Sequence, residues 1–278
     1  MAASGAVARY GVVGNPVSHS LSPRIHAAFA AQTGQTLSYE AIEIPLGNFA
    51  EDLRALRQKG YAGLNVTVPF KREAWELCDD LSERARLAGA VNTLSFLPNG
   101  RVAGDNTDGV GLIRDLVDNL KLALANRKIL VLGAGGAVRG VLGPLLAHTP
   151  GLLAIANRTP EKAVALAREF ASYGAIEAVA FDGLGDECFD LIINATAAGL
   201  DDDVPPITDK IITADTVCYD MMYRLGAATA FVDWGQAHGA RRAYDGLGML
   251  VEQAAEAFVI WRHVRPSTSG IIRSLRQA

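Results

Sequence analysis

Short apolar runs alternate along this chain with stretches of helical period. "RYGVVG" precedes a 3.6-residue pattern from Ser22, "SYEAIEI" precedes one from Leu46 to Lys59, and "YAGLNVTV" precedes one from Phe70. Strand-sized apolar runs followed by amphipathic helices predict βαβ units around a mostly parallel sheet. Residues 91 to 104, "VNTLSFLPNGRVAG", break the alternation, because two short strands flank Asn99-Gly100, a pair that favours a tight hairpin turn. In "DNTDGVGLIRDLVDNL", Leu112, Ile113, Leu116, Val117 and Leu120 form one apolar helical stripe, read as a domain junction. A second α/β series follows, with strands "KILVL", "LLAIA", "EAVAF", "LIINAT" and "TVCYDM". The last predicted helix, from about Leu247 to His263, aligns Leu250, Val251, Ala254, Phe258 and Trp261. At about 100° per residue, Gln253 lies at the edge of that stripe. "LDDDVPPIT" reads as a short acidic, proline-bearing loop.

Composition narrows the function. With 278 residues, half of them hydrophobic and a fifth charged, the chain has room for two domains and a sizeable core. A formal net charge of -4 offers no basic surface to phosphate backbones, so a small-molecule partner is expected and a nucleic acid is not. Cys78, Cys188 and Cys218 lie far apart and form no CxxC, so neither a metal site nor a disulfide framework is expected. The opening "MAASGAVARYGVVG" lacks the charged start and apolar core of a leader, and no segment approaches the ~20 apolar residues of a membrane span. The expected location is cytoplasmic. A monomer and a homodimer both stay open.

The glycine loop "VLGAGGAVRG" follows a strand and opens a helix, as a dinucleotide fingerprint requires. Gly133 allows the tight turn, and Gly135 and Gly136 let backbone N–H groups approach a pyrophosphate at the positive helix end. Val138 stands where a third glycine would complete GxGxxG, so a purely structural glycine turn competes. The next strand favours NADP over NAD. It ends in Asn157, Arg158 and Thr159 instead of the acid that would bond a ribose 2'-hydroxyl, and Arg158, with Lys162 one turn later, suits a 2'-phosphate. Thr159, Pro160 and Glu161 also read as N-cap, N1 and first turn of a helix.

Two polar clusters in the first half remain. "GNPVSHSLSP" carries Ser18, Ser20 and Ser22 after the first strand, at the end where open α/β sheets bind ligands, with Ser22 also an N-cap candidate before Pro23. "NVTVPFK" places Lys71 in the first turn of a helix that Pro69 starts, where the helix dipole disfavours a cation. A solvated lysine and a working one both fit. Asp108 likewise reads as a helix cap, in competition with Thr107 and Asp105. His19 is assigned to the loop and His26 to the helix, neither to catalysis.

Taken in order, "GNPVSHSLSP", "NVTVPFK", "GAVNTL", "GDNTDGVG", "GAGGA", "NRT", "YDMMY" and "DGLGMLVEQAA" closely resemble shikimate dehydrogenase over nearly the whole chain. The resemblance implies an α/β fold of two domains with a cleft between them, and NADPH-dependent reduction of 3-dehydroshikimate to shikimate, a step toward the aromatic amino acids. It implies a substrate domain of residues 1–107 plus 247–278 and a Rossmann-like NADP domain of 108–246. Ser20 and Ser22, aided by Tyr223, would hold the substrate carboxylate. Thr67, Asn92, Asp108 and Gln253 would bond the ring hydroxyls, and Lys71 and Asp108 would form the catalytic pair. For NADP it implies Gly133, Ala134, Gly135, Gly136 and Ala137 at the pyrophosphate, Asn157, Arg158, Thr159 and Lys162 at the adenosine phosphate, and Met221 and Gly246 beside the nicotinamide. Glu83 matches a position near the cofactor, although a solvated helix face in "LSERARLAG" fits it equally. Quinate, or both substrates, is the alternative to shikimate. A nucleotide-binding regulator without activity would be expected to lack Lys71 or Asp108, and both are present.

Overall fold

A computed structural model describes residues 7–196 and 203–277, so Leu200, Asp201 and Asp202 of the acidic loop and the first six residues of the opening segment lie outside the described residues. Contacts divide the chain into two units, Met1–Asp108 with Val251–Ile271 and Gly109–Leu250 with Ile272–Ala278. The switches therefore fall after Asp108 and inside a helix, and the end of the chain groups with the second unit.

The first unit contains β1 (Ala8–Gly14), α1 (Ser22–Thr33), β2 (Leu37–Glu43), α2 (Phe49–Gln58) and β3 (Tyr61–Val66). It continues through α3 (Lys71–Glu76), β4 (Asp80–Leu81), α4 (Glu83–Ala88), β5 (Thr93–Phe96) and β6 (Val102–Asp105). Its six strands run in the order β2-β1-β3-β5-β6-β4. β1 pairs in parallel with β2 and β3, as the βαβ pattern predicts, and β5 and β6 form the expected antiparallel hairpin. The core joins Val13, Leu64 and Val66 to Phe49, Leu53 and Phe70, with Val91 and, from the hairpin strand β5, Leu94. β4, a two-residue strand, is too short to leave a period in the sequence.

The second unit contains α5 (Asp108–Arg114) after its first residue, with the helical run continuing as a π-helical turn through Asn119, then β7 (Lys128–Leu132), α6 (Gly136–Ala147), β8 (Leu152–Asn157) and α7 (Pro160–Phe170). β9 (Ile176–Ala180), β10 (Leu191–Asn194), β11 (Val217–Asp220), α8 (Ala230–Ala237) and β12 (Arg242–Tyr244) follow. All strand pairs in this sheet are parallel, in the order β12-β11-β10-β7-β8-β9. Renumbered along its own chain this is the doubly wound order, with its reversal between β7 and β10, where such sheets bind ligands. Its strands read as continuous apolar runs because both faces are covered; Ile129 to Leu132 are fully buried.

The remaining helices are α9 (Leu247–Arg262) and α10 (Ser269–Arg276). The predicted last helix is therefore not the last. α10 sets Ile271, Ile272 and Leu275 on one face and Arg273 and Arg276 on another, but over only eight residues, and it buries Leu275 alone. Among the described residues no helix is long and apolar enough to cross a membrane.

Candidate functional site

In the first unit the chain ends of β1, β3 and β6 and the start of β5 gather several predicted residues. Thr67 N–H donates to Val13 at 2.9 Å, and Asn15 N–H donates to Val68 at 3.1 Å, which binds the loop after β3 to the loop after β1. That approach requires a glycine at 14, because a Cβ there would collide with Cγ2 of Thr67. Phe70, fully buried and stacked on Phe49, fixes the N-cap of α3, so the helix begins at Lys71 and not at Pro69. The hairpin reverses direction, so the start of β5 and the end of β6 arrive at this same edge. Val66 N–H donates to Asn92 at 2.8 Å and Asn92 N–H to Asp105 at 3.0 Å.

Lys71, Asn92 and Asp108 converge there. Lys71 Nζ donates to Asp108 Oδ2 at 2.6 Å, with the two side chains 29% and 12% exposed. Asn92 Nδ2 donates to the other oxygen, Oδ1, at 2.8 Å. The lysine is thus partly buried and not spare: a specific partner offsets its unfavourable place in a first helical turn. Asp108 is not a cap either. Asn106 Oδ1 accepts from Asp108 N–H at 3.1 Å, leaving the Asp108 carboxylate for Lys71 and Asn92. Gln253, from α9, brings Oε1 within 3.3 Å of both Asn92 Nδ2 and Thr107 Oγ1.

Ser20 and Ser22 lie on the neighbouring loop. Leu21 occupies the N-cap of α1 and Ser22 is its first residue, contrary to the capping expectation; Ser20 Oγ instead accepts from Ser22 N–H at 3.2 Å. The turn carrying Asp108 is braced from behind. Arg84 clamps Asp105 through Nε and Nη2 at 2.6 and 2.9 Å and reaches Glu256 of α9 through Nη1 at 3.1 Å. Glu83, beside it, is exposed in the first turn of α4.

The second unit carries the remaining predicted residues. Gly133 has φ +111°, and a Cβ there would meet the Ala195 carbonyl at 3.0 Å, so the turn after β7 needs glycine. Gly135 is the N-cap of α6 and offers no side chain to the helix's first N–H groups; beside Gly135 and Gly136 the space is open. Asn157 Nδ2 donates to the Thr159 carbonyl at 2.9 Å, fixing the corner after β8, and Arg158 and Lys162 are exposed. Thr159 holds the N-cap of α7, though its hydroxyl makes no capping bond. An uncapped helix start beside a corner that carries Arg158 and Lys162, with Asn157 rather than an acid ending β8, fits a dinucleotide bearing a 2'-phosphate. Met221 and Gly246 are adjacent, since a Cβ on Gly246 would collide with the Met221 carbonyl. Tyr223 is partly buried, and burial raises its phenol pKa.

The family model of the shikimate dehydrogenase substrate binding domain matches residues 12–94, that of shikimate / quinate 5-dehydrogenase matches 115–201, and that of the shikimate 5'-dehydrogenase C-terminal domain matches 246–276. A protein of Thioalkalivibrio sulfidiphilus named Shikimate dehydrogenase (NADP(+)) is 56% identical over 96% of this chain and 98% of its own. The chain belongs to the shikimate dehydrogenase family. Solved structures agree in fold. The shikimate 5-dehydrogenase of Thermus thermophilus, in complex with NADP(H) and shikimate, is similar with a TM-score of 0.86 and 34% identity over 98% of this chain and 99% of that one. The Ael1 enzyme from Pseudomonas putida reaches 0.90 at 44% identity, covering 96% and 98%.

The shikimate dehydrogenase motifs do not single out Tyr39, Thr93 or Asp220. Tyr39 reaches the Lys71 cluster only through Asn65 on another strand, which no spacing reveals, and Thr93 meets it directly through its neighbour Asn92. Asp220 is fully buried at the end of β11, where it accepts from Thr229 Oγ1 at 2.7 Å and from Asn194 Nδ2 and Met222 N–H at 3.1 Å each. Burial raises its pKa against those bonds. A buried carboxylate at a strand end, as in "YDMMY", is the available signal.

Proposed function

We propose that this chain catalyses the reversible, NADPH-dependent reduction of 3-dehydroshikimate to shikimate. The observation that carries the reading is the Lys71–Asp108 contact of 2.6 Å, with Asn92 on the second carboxylate oxygen, in a member of this family. Reducing a ring carbonyl requires a hydride on carbon and a proton on oxygen. NADPH, when bound, supplies the hydride. Lys71 gives the proton and stabilises negative charge on the oxygen as it forms, while Asp108 holds the ammonium in place. Ser20 and Ser22 donate to the substrate carboxylate, and Thr67, Asn92, Asp108 and Gln253 bond the ring hydroxyls. In the second unit, Gly133 to Ala137 hold the pyrophosphate, Asn157, Arg158, Thr159 and Lys162 the adenosine phosphate, and Met221 and Gly246 adjoin the nicotinamide. Tyr223 aids in holding the substrate carboxylate and Glu83 adjoins the cofactor, roles that Tyr223→Phe and Glu83→Gln test through KM for shikimate and for NADP. The cytoplasm is the proposed location.

The test is absorbance of reduced nicotinamide on mixing the protein with NADP and shikimate, then with quinate, then with NAD for NADP. A signal with shikimate and NADP is expected. Faster turnover with quinate reassigns the substrate, and silence with every pair overturns the reading.

A further inference from the structure

Behind Asn92 runs a chain of buried side chains to which the proposed reaction assigns no role. Its hydrogen bonds have only one set of directions, which follows from two groups that cannot change role. Thr107 N–H is an obligate donor and lies 2.9 Å from Asn92 Oδ1, so the Asn92 amide oxygen faces it and its NH2 faces Asp108. The Asn92 carbonyl is an obligate acceptor and lies 3.1 Å from Asn65 Nδ2, so the Asn65 amide is fixed as well. Asn65 Oδ1 is then an acceptor, and Tyr39 OH, at 2.8 Å, must donate to it. Between the two amides stands Thr93 Oγ1, 3.1 Å from Asn65 Nδ2 and 2.8 Å from Asn92 Oδ1. It accepts from the first and spends its single proton on the second.

Asn65, Thr93 and Asn92 are 7%, 1% and 3% exposed, so water does not readily replace any of these bonds. The Tyr39 ring is held face to face with His26, centroids 4.1 Å apart and planes 6° apart, which aims its hydroxyl. We propose that Tyr39, Asn65 and Thr93 are positioning residues that lock the Asn92 amide as a donor to Asp108, so that the carboxylate keeps one oxygen for Lys71. A flipped Asn92 would set its carbonyl against the carboxylate and its NH2 against Thr107 N–H, two repulsions in place of two bonds. The inference rests on the proposed dehydrogenase reading.

The test contrasts two substitutions at Thr93. Thr93→Val keeps the packing volume and loses the hydroxyl; Thr93→Ser loses the methyl and keeps the hydroxyl. The relay predicts a kcat for shikimate oxidation about tenfold below the parent in Thr93→Val, a smaller change in KM, and a kcat in Thr93→Ser close to the parent. A role in packing alone predicts the reverse order, with Thr93→Ser the more impaired. Tyr39→Phe keeps the ring on His26 and removes the first donor; its kcat should fall several-fold, and it decides the matter if Thr93→Val does not fold. Parental kcat in Thr93→Val or Tyr39→Phe, or equal impairment of Thr93→Val and Thr93→Ser, overturns the inference while the parent's activity stands. An inactive parent overturns the dehydrogenase reading first, and the inference with it.

Discussion

Lys71 and Asn92 reach opposite oxygens of one carboxylate, Asp108, at 2.6 and 2.8 Å. The pair of contacts fixes the Asp108 side chain in rotation as well as in position, and it leaves the ammonium's other two protons for an incoming oxygen.

Replacing Lys71 by alanine should remove the group that acts on charge developing in the transition state. The expected result is a kcat lower by about 10²–10⁴-fold, with shikimate binding little changed by calorimetry. Turnover like the parent's would refute the assignment.

Arg158→Ala should weaken NADP much more than NAD. A charge-assisted contact with a 2'-phosphate corresponds to a rise in KM for NADP of about 10–100-fold, with KM for NAD within a few-fold. Equal weakening of both would place Arg158 elsewhere.

His26 is 1% exposed among Tyr39, Phe29, Phe258 and Trp261. Both ring nitrogens lack a partner in hydrogen-bonding geometry, and burial lowers its pKa from 6.5 to about 3 against an opposing effect of the Asn65 side chain. Below pH 6.5 the unfolded chain takes up a proton that the folded one refuses. Stability is therefore full above pH 6.5 and falls as pH drops toward about 3, by on the order of 5 kcal/mol across that window. His26→Phe should flatten this part of the stability curve in denaturant titrations at pH 7 and pH 4.5; an unchanged slope would show that the ring titrates normally.

Arg84→Met removes the fork on Asp105 and the bond to Glu256. These side chains retain some solvent, 29%, 19% and 14% exposed, so the expected loss is about 1–3 kcal/mol, below that of breaking a fully buried pair. A thermal midpoint lower by several degrees would record it, and an unchanged midpoint would show that solvent replaces the clamp.

The fold is legible where a pattern has length. β1, β3, β7 and β8 follow from apolar runs bounded by glycine or helical period, and the hairpin from Asn99-Gly100. β4 and α10 do not, because two residues carry no period and eight, though amphipathic, span little more than two turns. For the site, local rules point the wrong way at Lys71, Asp108 and Ser22: solvation and capping are what isolated helix starts do. Their partners, Asp108 for Lys71 and Asn92 for Asp108, are supplied from distant segments, and only the resemblance to the family joins them in the sequence. Of the Tyr39–Asn65–Thr93 chain, Asn65 and Thr93 lie inside two of the family motifs and Tyr39 in none, and nothing in the sequence shows that the three side chains meet.

The β5–β6 hairpin brings Asn92 and Asp105 to one edge of the first sheet and so carries Asn99-Gly100 to the opposite one. Extra residues at that turn would lengthen a ribbon at its far tip. The turn is therefore a natural attachment point for a fluorophore or a short epitope, a handle on the enzyme that reports its folding without entering its chemistry.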